Sequence, residues 1–235
     1  MRLNPQNFAY ALGHPLRALR YLRHRDHIPY QAIARYLPDN PVILEAGVAN
    51  GVNTEEMARF WPEARIHGFE PVPAAMALAR SRISKLGDRI HLYPFALGKA
   101  SGTMTMNLSG SGDAAETQSS SLLKPTGHLE AYDFVEFKHQ IEVKIVSLDE
   151  WAKQHGVSTV DFLWLDLQGY ELFALTGAET LLGGAKALHV EISHRPMFEG
   201  GVLYPELKAW LERRGFEPVI DATFRLGGNV LFARR

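Results

Sequence analysis

VILEAGVANGVNTEEM, residues 42–57, places a carboxylate at the end of an apolar run, then a turn of small residues, then the start of an amphipathic stretch. Val, Ile and Leu in succession, with no polar alternation, read as a strand buried on both faces, the kind that builds parallel sheets. Gly47, Ala49 and Gly51 keep the turn thin enough for backbone to approach a ligand, with helix N–H groups facing it. Asn53 with Glu56 three residues on reads as a capping pair for a helix over 53–61. Glu45 can accept a hydrogen bond from an ammonium group. The segment alone also fits an ordinary strand-to-helix turn of any α/β protein.

Working outward, the alternation continues. ARIHGFE (64–70) is a second strand, PAAMALARSRISKLG (73–87) a helix closed by Gly87, and RIHLYPF (89–95) a third strand. The pattern breaks over about 98–147: GTMTMNL (102–108) and IEVKIVSL (141–148) read as exposed or antiparallel strands, and the Gly/Ser-rich segment between them as a functional lid or a disordered insert. SLDE at 147–150 is a capping box opening a helix that ends at Gly156, and VDFLWLDL (160–167) is a buried strand. A helix over roughly 170–182, a strand ALHVEIS (187–193) and a helix over 204–215 follow. FEPVID (216–221) and NVLFARR (229–235) are joined by too few residues for a helical crossover, so they pair antiparallel. The reading is one α/β domain over 41–235, preceded by a helical cap over 1–40.

Composition supports a compact globular chain: 235 residues, 46% hydrophobic and 22% charged. Absence of cysteine excludes disulfides, thiolate metal sites and a thiol nucleophile, and fits a reducing cytoplasm. No stretch approaches the roughly eighteen apolar residues of a membrane span, and the first residues lack the apolar core of a signal peptide. A net charge of −1 carries no nucleic-acid footprint. The charge is uneven, however, because Arg2, Arg17, Arg20, Arg23, Arg25 and Arg35 stand against one acid, Asp26, in the first 35 residues. That segment reads as a solvated cap or as a peripheral surface for an anionic partner such as a lipid headgroup or a sugar nucleotide. A homo-oligomer is compatible with these features.

Glu70, in GFEP, ends the second strand beside the first, where an acid can accept both hydroxyls of a ribose. Here the sequence resembles the FkbM family of methyltransferases. LEAGVANG resembles its first motif, FEP its ribose motif, FALG (95–98) the segment after the third strand, and VSLDEW with DFLWLDLQGYELFALTGAETLL (161–182) its most recognisable block. HVEIS and PMFEGGVLYPELKAWLERRGF resemble its C-terminal block, so the likeness covers about residues 42–232. Gln168 stands where the family often has Glu, and Trp164 where it often has Lys.

The resemblance implies a Rossmann-like seven-stranded sheet with an antiparallel C-terminal strand, helices on both faces, and S-adenosyl-L-methionine across the strand ends, with S-adenosylhomocysteine as product. It implies Glu45, Gly47, Asn50 and Gly51 at the methionine part, Glu70 at the ribose, Ala96 at the adenine edge and Asp166 on the sulfonium side, with Ala49, Asn53, Pro71 and Gln168 also among the cofactor-binding residues. The implied acceptor is a hydroxyl of a sugar, glycolipid or polyketide-type molecule.

In-line geometry and exclusion of water carry much of a methyl transfer, and a base within reach of the hydroxyl proton adds to it. Asp166 is the first candidate, or else a cap for the following helix. His194, directly after the fifth strand, and His128, in the long loop, are the other two, while His67, His91 and His189 lie within strands and read as structural. Ser120, Ser121 and Glu191 are expected at the acceptor. No clustered set of carboxylate or amide oxygens suggests a metal. A nicotinamide-dependent oxidoreductase shares the Gly-rich turn and Glu70, but Ala49 and the LDLQGYE block oppose it. A non-catalytic scaffold is opposed by Glu45, Glu70 and Asp166.

Overall fold

The structure, a computed structural model, describes residues 28–110, 117–132 and 135–235. Along these the chain forms α1 (Tyr30–Ala34), β1 (Val42–Ala46), α2 (Val52–Phe60), β2 (Arg65–Phe69), α3 (Pro73–Ile83), β3 (Ile90–Tyr93), β4 (Ala96–Leu97) and β5 (Gly102–Leu108). There follow α4 (Gly127–Ala131), β6 (His139–Val146), α5 (Leu148–His155), β7 (Phe162–Leu165), α6 (Glu171–Leu175) and α7 (Glu179–Gly184). The chain closes with β8 (Ala187–Ser193), α8 (Tyr204–Glu212), β9 (Phe216–Phe224) and β10 (Gly227–Arg234).

Seven strands form the main sheet in the order β3-β2-β1-β7-β8-β10-β9. Neighbours from β3 to β8 are parallel, and β10 runs antiparallel to both β8 and β9. This is the Rossmann-like doubly wound sheet that the alternation predicts. Trp151, Leu172, Leu181 and Leu211 cover one face, from α5, α6, α7 and α8. Ile33, Met57 and Met76 cover the other, from α1, α2 and α3. The order reverses between β1 and β7, so their C-terminal ends open the crevice in which open α/β sheets bind ligands.

Several expectations need correction. The helix after β1 begins at Val52, with Gly51 as its N-cap at φ 79°, and no side chain caps it. Asn53 is therefore inside the first turn, and Glu56 accepts instead from the Tyr30 hydroxyl at 3.3 Å. The single helix expected over 170–182 is two, because Asp149 on α5 founds a second N-terminus: its carboxylate accepts the N–H groups of Thr180 and Leu181 at 2.9 and 3.0 Å. The helix expected to close at Gly87 ends at Ile83.

The stretch at 98–147 builds a second sheet, β4-β6-β5, with β5 antiparallel to β6. Between β5 and β6 the described residues are tied down. Ser121 bridges to Asn107, Pro125 to Phe198, and Met197 O accepts the N–H groups of Thr126 and His128, both at 3.0 Å. Of the expected cap, residues 1–27, with all its arginines but Arg35, lie outside the described residues. Ile28, Tyr30 and Ile33 are buried in the core with Trp61 and Phe162. Among the described residues no helix is long and apolar enough to cross a membrane.

Candidate active site

A cavity of about 280 Å³ lies at the C-terminal ends of β1, β2 and β7. Its floor is the turn after β1, where Gly47, Ala49, Asn50 and Asn53 line it, and its walls are Glu70 and Pro71 after β2, Ala96 on β4, and Asp166 and Gln168 after β7. Gln118, Ser120 and Leu122 of the segment between β5 and β6 also line it, as do Met106 and Tyr170. The backbone is strained on both sides: Ala49 and Gln168 have φ of 49° and 53°, a region costly for residues with a Cβ.

Carboxylates dominate the chemistry. Both Glu70 oxygens accept backbone N–H groups, of Ala49 and Val72, each at 2.8 Å, which ties the β1 turn to the β2 turn. Burial pushes its carboxyl up to about 7 despite those bonds. Glu45 stands behind the lining, fully buried, with Oε2 accepting from the Thr54 hydroxyl at 2.5 Å and Oε1 without a hydrogen-bond partner. Burial raises it to about 8, and the negative charges of Asp166 and Glu70 add to the rise. Glu171 was not singled out from the sequence. It is buried at the start of α6 and accepts the N–H groups of Leu167 and Gly169 at 2.9 and 3.2 Å, with burial raising it to about 7. An acid one turn after a strand-end Asp, in DLQGYE, was the available signal.

Asp166 lines the cavity. The N–H groups that a capping Asp would accept go to Glu171, while the Asp166 carboxylate accepts the Gln168 side-chain amide at 2.8 Å and faces the cavity. The same amide reaches Glu191 on β8 at 2.5 Å, which brings Glu191 to the site's edge although it does not line the cavity. Ser120 lines the cavity and its hydroxyl accepts Ser109 N–H at 3.0 Å. Ser121 does not line it. Its hydroxyl donates to Gln168 O at 2.9 Å and so pins the β7 turn. Gly51 also sits behind the lining, where its left-handed conformation starts α2.

The two histidines expected near the acceptor are elsewhere. β8 keeps pairing with β10 as far as Ser193, which carries His194 toward the β9–β10 turn, where its N–H meets Leu226 O and its exposed ring packs on Tyr204. His128 is buried in α4 among Tyr132, Phe137 and Phe198, and burial lowers its affinity for a proton. Among the described residues no three His, Asp or Glu side chains gather as a metal site.

The raised carboxyls give a pH prediction. Between the ordinary value of 4.5 and the folded values of about 7 to 8, the folded chain holds protons on Glu45, Glu70 and Glu171 that the unfolded chain has released, so stability falls as pH rises. His67, buried and lowered to about 4, acts oppositely up to 6.5. Above 6.5 the carboxyls act without that offset. The unfolding free energy of the ligand-free protein, read from denaturant titrations, is expected to drop from pH 6.5 to 8 by on the order of 1–2 kcal/mol. A flat or rising profile contradicts the buried-acid account.

Residues 45–218 match the family model described as the Methyltransferase FkbM domain. The chain is 30% identical over 229 residues to the 2-O-methyltransferase NoeI of Sinorhizobium fredii (strain NBRC 101917 / NGR234), covering 96% of this chain and 90% of that protein. It is 24% identical over 207 residues to methyltransferase sdnD of Sordaria araneosa, covering 79% and 77%. Among solved structures, methyltransferase FkbM from Methylobacillus flagellatus KT matches with a TM-score of 0.55 at 13% identity over 83% of this chain, a likeness of fold. This chain spans 44% of that one.

Proposed function

The chain belongs to the FkbM methyltransferase family, and from that premise we propose that it transfers the methyl group of S-adenosyl-L-methionine to a hydroxyl oxygen, with a saccharide or glycolipid as the favoured acceptor and a polyketide-type hydroxyl as the other. The observation that carries this reading is the charge of the cavity. Glu70 and Asp166 line it, Glu45 lies behind it with an unpartnered oxygen, and no Lys, Arg or His is among the described lining residues. A ligand with a sulfonium and an ammonium group favours the ionised form of these buried acids, which burial alone disfavours, whereas an anionic one raises them further. A nicotinamide dinucleotide brings a pyrophosphate to the same turn, where Glu70 already accepts the Ala49 N–H that a phosphate needs. Transfer to oxygen is supported by the likeness to NoeI, a 2-O-methyltransferase.

In this reading Glu70 accepts the ribose hydroxyls through its remaining lone pairs, Ala96 and Pro71 bound the adenine, and Asn50 and Asn53 meet the methionine part. S-adenosyl-L-methionine, when bound, supplies an electrophilic methyl group and leaves as S-adenosylhomocysteine. Asp166 orients the acceptor hydroxyl and takes its proton as the oxygen becomes acidic during transfer. Gln118, Ser120 and Leu122 line the cavity and exclude water.

Calorimetry with S-adenosylhomocysteine and with NAD tests the cofactor, and release of S-adenosylhomocysteine against panels of nucleotide sugars, glycolipids and polyketides tests the acceptor. Glu70→Ala is expected to weaken the first ligand by about 1.5–3 kcal/mol, the range for hydrogen bonds to a charged group. Unchanged affinity places the ribose elsewhere, and tight NAD binding overturns the methyltransferase reading.

A further inference from the structure

We propose that the Gln168 side-chain amide is a positioning bridge, holding the Asp166 and Glu191 carboxylates together at the cavity edge with two N–H donors, as a divalent cation would hold them. This rests on reading the cavity as the methyl-transfer site. Asp166 directly follows β7 and Glu191 lies on β8, its parallel neighbour, so two carboxylates meet on adjacent strands. Nε2 of Gln168 lies 2.8 Å from Asp166 Oδ1 and 2.5 Å from Glu191 Oε2. An amide nitrogen has two protons, and these two bonds use both.

The backbone of Gln168 shows that the side chain is what matters there. At φ 53° it occupies the left-handed region, which Gly or Asn adopts with less strain. The turn holds it there from three directions. Ser121 Oγ donates to its carbonyl at 2.9 Å, and the Glu171 carboxylate accepts the flanking N–H groups of Leu167 and Gly169. A turn that needed only its shape gains nothing from Gln. A long amide in this conformation reaches both carboxylates. With its acids paired by a neutral donor, the two carboxylates are held at one edge of the cavity, where an acceptor carrying neighbouring hydroxyls would meet Asp166.

The test needs no acceptor. Mn²⁺ is titrated by electron paramagnetic resonance into wild type, Gln168→Gly and Gln168→Glu, with Gln168→Asp, better suited to a left-handed turn, as second acidic variant. Two carboxylates bridged by an amide are expected to leave Mn²⁺ free at millimolar concentration, whereas a third carboxylate in the amide's place completes an oxygen site with an apparent Kd on the order of 0.1–1 mM. Adding Glu191→Gln to the acidic variant is expected to abolish that binding. Gln168→Gly is expected to keep its unfolding midpoint or raise it, because the left-handed turn prefers glycine. No Mn²⁺ binding by either acidic variant, or binding that survives Glu191→Gln, overturns the bridge. Failure of wild type to bind S-adenosylhomocysteine overturns the proposed function instead, and leaves the Mn²⁺ result to be read separately.

Discussion

Replacing Asp166 by Asn is expected to slow methyl transfer in a single turnover by about a hundredfold or more, while S-adenosylhomocysteine affinity changes by less than about threefold. The substitution keeps the shape and retains an oxygen to accept the Gln168 amide, so it removes little besides the charge. The turn after β7 does not depend on that charge, because the N–H groups of Leu167 and Gly169 are held by Glu171. Loss of rate without loss of folding or cofactor binding therefore reports on the acceptor's proton. A rate near wild type at saturating cofactor removes Asp166 from the reaction and leaves positioning as the main source of catalysis. Glu171→Ala is the contrasting variant: it removes the acceptor of both N–H groups, so stability and cofactor affinity are expected to fall together with rate.

How much of this was legible in the residues depended on whether the signal was local. Apolar runs and Gly-rich turns marked β1, β2, β7 and β8 to within a few residues, because strands buried on both faces leave an unbroken hydrophobic pattern. Short sequence distance also placed Glu70 and Asp166 at strand ends, and both line the cavity. What failed was non-local. Asn53 and Glu56 have the spacing of a capping box, but Gly51 already turns the chain and Tyr30 takes Glu56. The break between α6 and α7 is imposed by Asp149, about thirty residues earlier in the chain. His194 and His128 were chosen by edge position alone, and the direction in which β8 leaves the sheet and the aromatic packing of α4 put them elsewhere. The part of the cavity lining with Gln118 and Leu122 depends on pairing between Asn107 and Ser121, which no sequence period announces.

Gly47→Ala is expected to cost about 3 kcal/mol or more of stability and to weaken S-adenosylhomocysteine binding by about a hundredfold or more, through two separable effects. The first is conformational, since Gly47 has φ 89° and a Cβ is disfavoured there. The second is steric: a Cβ at this position meets the carbonyl oxygen of Asp166 at 2.0 Å, and that contact is backbone, so no side-chain rotation relieves it. The β1 turn cannot retreat either, because the N–H groups of Gly47 and Val48 both donate to Phe69 O at 3.1 Å. Relief requires β1 and β7 to part at their C-terminal ends, the two ends that form the cavity floor and the wall carrying Asp166. Gly87 supplies the control, with φ 84° and nothing within 4 Å of an added Cβ. Gly87→Ala carries the conformational cost alone, expected at about 1–2 kcal/mol with binding unchanged. Urea midpoints and calorimetry on the two variants separate the effects. If Gly47→Ala is no worse than Gly87→Ala, the close approach of the β1 turn to Asp166 does not govern the site, and the cavity tolerates more play between its strands than the packing implies.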